Sequence, residues 1–443
     1  MSKLQFAIAA EAAILAAGAM AETQAARPAA RVYGDIRLRE EMWDYIPIPT
    51  ASPNVTRGGY NNSFRLRTRV GAAFDFADCA TANIRIANML YDVTAGAKSF
   101  DWPDELVVDN ANIELRGLTG DGSRLVLGRQ DIFLGSGRLV FEGTPLDASR
   151  TTFFDGAFLH QPLGGDFSAD LMAVYDEDED PLAVGNVHRQ IRGYSPTADG
   201  RDEAGVGLFL NGSALDGALP GSIYYIWKHE TSARAADGSD IGNADIHTLG
   251  ALLRPKFSGR FSGEFEYARE FDPNDDGGIS ASLAFASVKF TEPSCGLKPF
   301  VAANCLYLSG DDPDSGRNES FNPLFSRYPF LSELAIYCYD TEGAGNWNNL
   351  IYPHISAGTS SPSGYAFTVT AGDMRAEERN GAGGGRNRGE LYMAQVNFPI
   401  CDGAQGGRGK TVGHLRVEIL EPGDYYTSNH TAYYVRWEIL VKF

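Results

Sequence analysis

Alternation of apolar and polar residues runs through most of the chain, and a period of two is typical of β-strands whose faces meet different environments. The clearest case is segment 64–76, FRLRTRVGAAFDF, whose even positions are mostly apolar and whose odd positions include three arginines. Segments of about nine to thirteen residues with this pattern recur at 33–42, 80–90, 106–116, 166–175, 260–270, 278–290, 364–374, 388–398, 411–420 and 431–443. The pattern predicts an all-β fold.

The length of these segments separates two classes of β-protein. Strands of soluble domains are usually about five or six residues long, whereas strands that cross a bilayer at a tilt need about nine to eleven. The last segment ends in Phe443, in phase with Val441, Ile439 and Trp437. Such a strand is similar to the closing strand of outer-membrane barrels, so the sequence favours a membrane barrel over a soluble sandwich.

The connections between the segments alternate in length. The long connections are 43–61, 91–105, 131–150, 176–201, 229–245, 271–278, 309–347, 373–387 and 421–430. The shorter ones include 77–80, 117–123, 161–165, 255–259, 291–297, 359–363 and 399–410. Bacterial barrels have short periplasmic turns and long extracellular loops. We therefore predict a transmembrane up-and-down antiparallel barrel of about 18 strands.

The first residues have the features of an export signal. Segment 1–21 contains an early lysine, an Ala/Leu/Ile-rich stretch and a final Ala-Met-Ala, although one acidic residue inside the apolar stretch is atypical. These features predict a secretory signal peptide. Residues 22–31 would then form a short periplasmic segment, and residues 32–443 would form the barrel in the outer membrane of a Gram-negative bacterium.

Charge and motifs exclude several functions. Lys and Arg number 38 against 57 Asp and Glu, a net charge of -19, which disfavours nucleic acid as a partner. No HExxH, GxSxG or P-loop motif is present, so we predict no enzyme activity, no metal and no cofactor. Two alternatives stay open: a secreted β-rich carbohydrate-active hydrolase, and a structural or adhesin barrel plugged by 309–347. The pairing of the five cysteines is also open: Cys79, Cys295, Cys305, Cys338 and Cys401.

The polar face of each segment would line the lumen of a barrel, because residues alternate between outside and inside. The arginines that this parity places in the lumen are Arg37, Arg39, Arg65, Arg67, Arg69, Arg85, Arg116, Arg416 and Arg436. Closure of the barrel would bring the arginines of the last strands beside the arginines of the first strands, across the lumen from Glu264 and Glu266. Because guanidinium groups bind carboxylates bidentately, this basic surface would suit a carboxylated solute. Equally, the arginines could pair with Asp35, Asp75 and Glu114 and hold the barrel in shape.

Several short segments, in their order along the chain, resemble the alginate export family of outer-membrane porins. These segments are Gly128-Arg129-Gln130-Asp131, Phe154-Asp155-Gly156-Ala157, Ser309-Gly310-Asp311-Asp312, Phe321-Asn322-Pro323-Leu324-Phe325, Asn349-Leu350, Pro422-Gly423-Asp424-Tyr425 and the Phe-terminated last strand. The resemblance implies an eighteen-stranded monomeric barrel with a basic conduit for an anionic polysaccharide. It adds Arg129 to the candidate lumen arginines.

The combined expectation is a porin that passes anionic saccharides by diffusion. The solute would be a uronate-containing polysaccharide or oligosaccharide such as alginate. Outer-membrane lipid and lipopolysaccharide would surround the barrel.

Overall fold

Eighteen long strands form one closed antiparallel barrel. The computed structural model describes residues 29–45, 61–93, 106–141, 153–177, 183–185, 202–234, 240–273, 278–326, 332–334, 348–381, 383–402, 409–427 and 429–443. The barrel strands are β1 (Ala29–Asp44), β2 (Asn61–Ala77), β3 (Ala80–Val93), β4 (Leu106–Arg116), β5 (Arg124–Gln130), β6 (Phe154–Gly164), β7 (Phe167–Asp176), β8 (Glu203–Ala214), β9 (Leu219–Glu230), β10 (Ala244–Leu253), β11 (Phe261–Phe271), β12 (Ser280–Thr291), β13 (Phe300–Leu308), β14 (Leu350–Ser360), β15 (Ala366–Arg375), β16 (Asn387–Asp402), β17 (Lys410–Glu421) and β18 (Ala432–Lys442). The predicted architecture and strand number are confirmed.

Pairing of the first strand with the last closes the sheet. Leu38 of β1 stands opposite Ile439 of β18 in the antiparallel register. The backbone N–H of Gly34 donates to the carbonyl of Phe443 over 2.9 Å, and the N–H of Phe443 donates back over 3.0 Å. The remaining barrel strands each pair with their neighbours along the chain.

The two faces of the sheet have opposite character. On β1 the side chains of Ile36 and Leu38 are exposed on the outer surface, whereas Arg37 and Arg39 point inward and are buried. This arrangement reverses that of a soluble protein, in which apolar side chains leave water. An apolar outer face and a polar interior are what a barrel needs in hydrocarbon.

Connections at one end of the barrel are short, as in 78–79 between β2 and β3 and 215–218 between β8 and β9. We call this the turn end. The opposite end, called the loop end, carries the long connections, among them 131–153 and 309–349. The predicted alternation of short and long connections is therefore confirmed.

Two of the long connections fold into the barrel. Together they supply a small sheet of three short strands, Phe133–Leu134, Val140–Phe141 and Phe325–Ser326. Val140 and Phe325 are fully buried and pack with inward-facing side chains of the barrel, including Phe154. The inward folding that the sequence left open for 309–347 thus occurs in its described part. Shorter pairings join Ala183–Gly185 to β4 and Ala233–Arg234 to Asp240–Ile241.

Several sequence-based predictions fall partly or wholly outside the described residues. The predicted signal peptide, 1–21, lies there, and so does Cys338. Within the described residues, four cysteines are free thiols: Cys79, Cys295, Cys305 and Cys401. None of the helices in this part of the chain is long and apolar enough to cross a membrane.

Close approach of neighbouring strands at Gly156 makes a first prediction. A Cβ at Gly156 would lie 2.0 Å from the carbonyl oxygen of Ala173, a backbone atom that cannot turn away. We expect Gly156→Ala to destabilise the barrel by about 1–3 kcal/mol. Temperature-dependent gel mobility of unboiled samples measures this loss as a lower transition temperature. Gly259→Ala is the control, because a Cβ there meets no atom within 4 Å; equal transitions for both variants would contradict the prediction.

Candidate functional site

Seven inward-facing arginines from β1, β2, β17 and β18 form a continuous surface that we call the arginine wall: Arg37, Arg39, Arg65, Arg67, Arg69, Arg416 and Arg436. Six of its members stand directly opposite one another across strand pairs. Arg37 faces Arg67, Arg39 faces Arg65, and Arg416 faces Arg436. Like charges in opposed positions destabilise a sheet unless other groups compensate them. The closure predicted from sequence therefore brings these arginines together.

Carboxylates inserted between the arginines supply this compensation. Asp35 accepts hydrogen bonds from Arg67 over 3.1 Å and from Nε of Arg69 over 2.8 Å. Glu41 forms ion pairs with Arg39 at 3.3 Å and Arg65 at 2.7 Å.

Glu438 on the last strand extends this network across the closure. Its carboxylate lies 2.6 Å from Arg39 and 3.8 Å from Arg37. Each of these carboxylates thus bridges two guanidinium groups, and pairing of the lumen arginines with acidic residues is realised.

Burial divides the wall into two groups. The side chains of Arg37, Arg39, Arg67 and Arg436 are only 1–3% exposed. Those of Arg65, Arg69 and Arg416 keep 10–11% of their surface accessible. Since a solute can reach only exposed guanidinium atoms, the second group provides the accessible contacts of the wall.

The other predicted lumen arginines lie beside the wall. Arg85 on β3 donates to Asp109 over 2.9 Å and to Asp131 over 3.0 Å. Arg116 lies near the turn end, is 37% exposed and contacts Glu114 at 3.3 Å. Asp131 is the last residue of the GRQD segment. One of the family-like segments therefore supplies an ion-pair partner for Arg85, which was assigned to the lumen only from the alternation of residues along its strand.

Arg129 of the same segment makes a clamp between β5 and β6. Its guanidinium group donates two parallel hydrogen bonds to Asp155, of 2.8 and 2.6 Å, and a third to the carbonyl of Val108 over 2.9 Å. The group also stacks 3.6 Å from the ring of Phe153. Only 1% of the side chain is exposed. The segments GRQD and FDGA therefore meet as partners on neighbouring strands.

Parts of the two inserted connections bind the side of the barrel opposite the wall. Arg138, from the connection after β5, donates to Glu264 and Glu266 of β11 over 2.8 Å each. Lys228 of β9 donates to the carbonyl of Leu324 over 2.9 Å and pairs with Glu203 at 3.0 Å. The acidic residues expected across the lumen are thus occupied by the protein's own loop, which sequence reasoning did not foresee.

Other family-like segments join the connections at the loop end. Asp424 accepts from the backbone N–H of Asn387 over 2.9 Å, and the Tyr425 hydroxyl donates to Asn380 over 2.9 Å. The side-chain amide of Asn349 donates to the carbonyl of Glu378 over 3.0 Å. These contacts explain why asparagine, aspartate and tyrosine occur there, since their side chains satisfy backbone groups of neighbouring connections. Among the described residues, no group of His, Cys, Asp or Glu could hold a metal ion.

Comparison with solved structures identifies the fold. OccAB3 of Acinetobacter baumannii matches with a TM-score of 0.53 and 10% identity, covering 93% of this chain and 99% of that protein. OccK2 of Pseudomonas aeruginosa matches with a TM-score of 0.56 and 10% identity, covering 93% and 97%. OccK2 in complex with glucuronate gives 0.53, 11% identity and coverage of 94% and 95%. No protein-family model and no curated protein sequence matches the chain.

At this identity the likeness concerns the fold. The chain forms a closed eighteen-stranded barrel and shares its fold with these proteins. The likeness does not single out the alginate export family that the sequence resembles. In outer-membrane barrels the loop end faces the exterior and the turn end faces the periplasm.

The shared carboxylate of Asp35 gives a second prediction. We expect Asp35→Asn to lower the free energy of unfolding by about 3–5 kcal/mol, because Arg67 and Arg69 lose a buried partner. Urea unfolding of the detergent-refolded protein, followed by tryptophan fluorescence, measures the change. The control is Asp75→Asn, since Asp75 pairs with an arginine that is 63% exposed and solvent screens such pairs. If Asp35→Asn lowered the free energy of unfolding by no more than Asp75→Asn does, the stability of the wall would not depend on the Asp35 carboxylate.

Proposed function

We propose that this protein is an outer-membrane channel that passes small anionic saccharides by diffusion. The observation that carries the proposal is the arginine wall, with its accessible members Arg65, Arg69 and Arg416 facing the lumen. Guanidinium groups bind the carboxylate of a uronate with two parallel hydrogen bonds. The complex of OccK2 with glucuronate, on a barrel of the same fold, supports a uronate as the solute class.

Partner exchange makes such a wall suitable for transport. Each accessible arginine already holds a carboxylate: Asp35 for Arg69, Glu41 for Arg65 and Glu418 for Arg416. A solute carboxylate replaces one oxygen partner with another of the same kind, so the net binding free energy is small. Conduction requires binding that is strong enough for entry and weak enough for release.

The inserted connections favour a small solute. Residues 131–141 and 309–326 occupy lumen space next to β9 and β11. A threaded polymer such as alginate would have to pass these packed segments, whereas a uronate or short oligouronate needs a narrower path. We therefore place mono- and oligosaccharide acids ahead of a polysaccharide.

The remaining parts of the proposal concern the surroundings of the barrel. The exposed apolar side chains of the outer face contact acyl chains of the outer membrane, with lipopolysaccharide in the outer leaflet. A closed barrel encloses its own path, so one chain suffices as the transport unit. Residues 1–21 act as the export signal.

The inserted connections also support one second candidate, a plugged structural barrel. Conductance in planar bilayers distinguishes the two, because a plugged barrel carries no steady current. A diffusion channel with this wall gives a steady current and a reversal potential that indicates preference for anions.

A variant pair tests the role of the wall. We expect Arg65→Gln combined with Arg69→Gln to lower glucuronate flux about tenfold, through the loss of charge-assisted hydrogen bonds. Both carboxylates keep a partner, since Glu41 retains Arg39 and Asp35 retains Arg67. Swelling of proteoliposomes in glucuronate, compared with uncharged glucose, measures the flux.

Arg260→Gln is the matched control, because Arg260 is 57% exposed in a periplasmic turn. The control should retain both the flux and the preference for anions. Cation preference in the wild-type protein, unchanged in the double variant, would exclude the proposed function.

A further inference from the structure

A short segment of the connection after β13 lies on the arginine wall in the manner of a bound ligand. The Glu333 carboxylate accepts a hydrogen bond from Arg436 over 2.6 Å. Glu418 of β17 accepts three: from the Ser332 hydroxyl, and from the backbone N–H groups of Glu333 and Leu334 over 3.1 Å each. The described segment, 332–334, thus offers a carboxylate to a barrel arginine and a set of donors to a barrel carboxylate.

Burial shows that this contact excludes water. Ser332 and Leu334 are fully buried, and Glu333 is 4% exposed. Arg436 and Glu418 on the barrel side are buried to the same degree. A buried ion pair costs desolvation of both charges and is favourable only when further hydrogen bonds satisfy them. Arg436 has a further contact in His414, and the three bonds to Glu418 satisfy the neighbouring buried carboxylate.

The neighbourhood of Arg436 is complementary to an anion. Arg416 stands opposite it on β17. His414 contacts the same guanidinium, with 3.2 Å between Nε2 and the arginine nitrogen. Arg416 itself contacts Glu418. The guanidinium group that binds the Glu333 carboxylate therefore has Arg416 opposite it and His414 in contact with it, and lies on the strand next to that of Glu418, a carboxylate that accepts hydrogen bonds.

We propose that residues 332–334 are an internal mimic of the solute, and that they occupy a binding site for hydroxy-carboxylic acids on β17 and β18. The carboxylate of a uronate takes the place of Glu333 on Arg436. Its ring hydroxyls take the place of the Ser332 hydroxyl and the two N–H groups on Glu418. The proposal rests on the function proposed above and assigns its solute a location.

From the same contacts we expect the net binding of the solute to be weak. Each hydrogen bond lost from the segment is replaced by one from the sugar, so little free energy is gained. Displacement also returns the buried Leu334 side chain to water, which opposes it. The site is therefore closed to solutes that have only the carboxylate or only the hydroxyls, because neither alone replaces the whole set.

Glu333→Gln tests the mimic. The amide keeps the size of the side chain and removes its charge, so glucuronate competes with a weaker internal ligand. We expect the glucuronate concentration for half-maximal interruption of single-channel current to fall about tenfold. Ionic conductance should rise at the same time.

Glu319→Gln is the control, because Glu319 is on the same connection and its side chain contacts no arginine in the described part of the chain. Glucose should interrupt the current of neither variant. Arg436→Gln should remove saturable interruption by glucuronate. Heat-dependent gel mobility identifies any variant that fails to fold, and Arg436→Lys then replaces Arg436→Gln, with weaker interruption expected.

The outcomes separate this inference from the proposed function. If Glu333→Gln raises conductance but leaves the half-maximal concentration equal to that of Glu319→Gln, residues 332–334 are only an anchor and the inference is wrong. If the wild-type channel passes no glucuronate while Glu333→Gln shows saturable interruption, the proposed function fails and the site remains. Absence of interruption in Glu333→Gln overturns the site itself.

Discussion

The hydrogen-bonding requirement of the backbone in hydrocarbon determines the rest of this structure. A peptide group in a bilayer has no water to bind, so its N–H and C=O groups must pair within the protein. The chain meets this requirement by closing eighteen strands into a barrel through the pairing of Gly34 with Phe443. Closure leaves two environments, lipid outside and a confined interior, and the alternation of side chains then sends the charges inward.

Like charges that face each other in the barrel interior must be compensated by opposite charges, and the arginine wall shows how. Arginines that face each other across strands, such as Arg37 and Arg67, are tolerated because Asp35 and Glu438 lie between neighbouring members. The sequence leaves two roles open for the lumen arginines, structural ion pairing and binding of a solute. One arrangement is compatible with both. Ion pairing maintains the shape of the wall, and exchange of carboxylate partners is the chemistry that we propose for transport.

Sequence reasoning predicts the parts that depend on local periodicity. Segment 64–76 identifies β2 because a period of two is visible within the strand itself. Partners such as Asp155 for Arg129 escape prediction because they depend on the register between strands. The inserted sheet escapes it because Val140 and Phe325 pair in parallel from connections far apart in sequence. For the same reason the contact of Glu333 with Arg436 was visible only in the structure.

The pairing of β1 with β18 has a consequence for how the molecule is assembled. The other barrel pairs join strands that are neighbours in the order of the chain, and such local contacts form quickly. The last pair joins residues about as far apart as the chain allows, so its loop-closure entropy is the largest of any pair. Until it forms, both strands present unpaired edges that can recruit other chains. Slow formation of this last pair would therefore favour association with other chains over completion of the barrel.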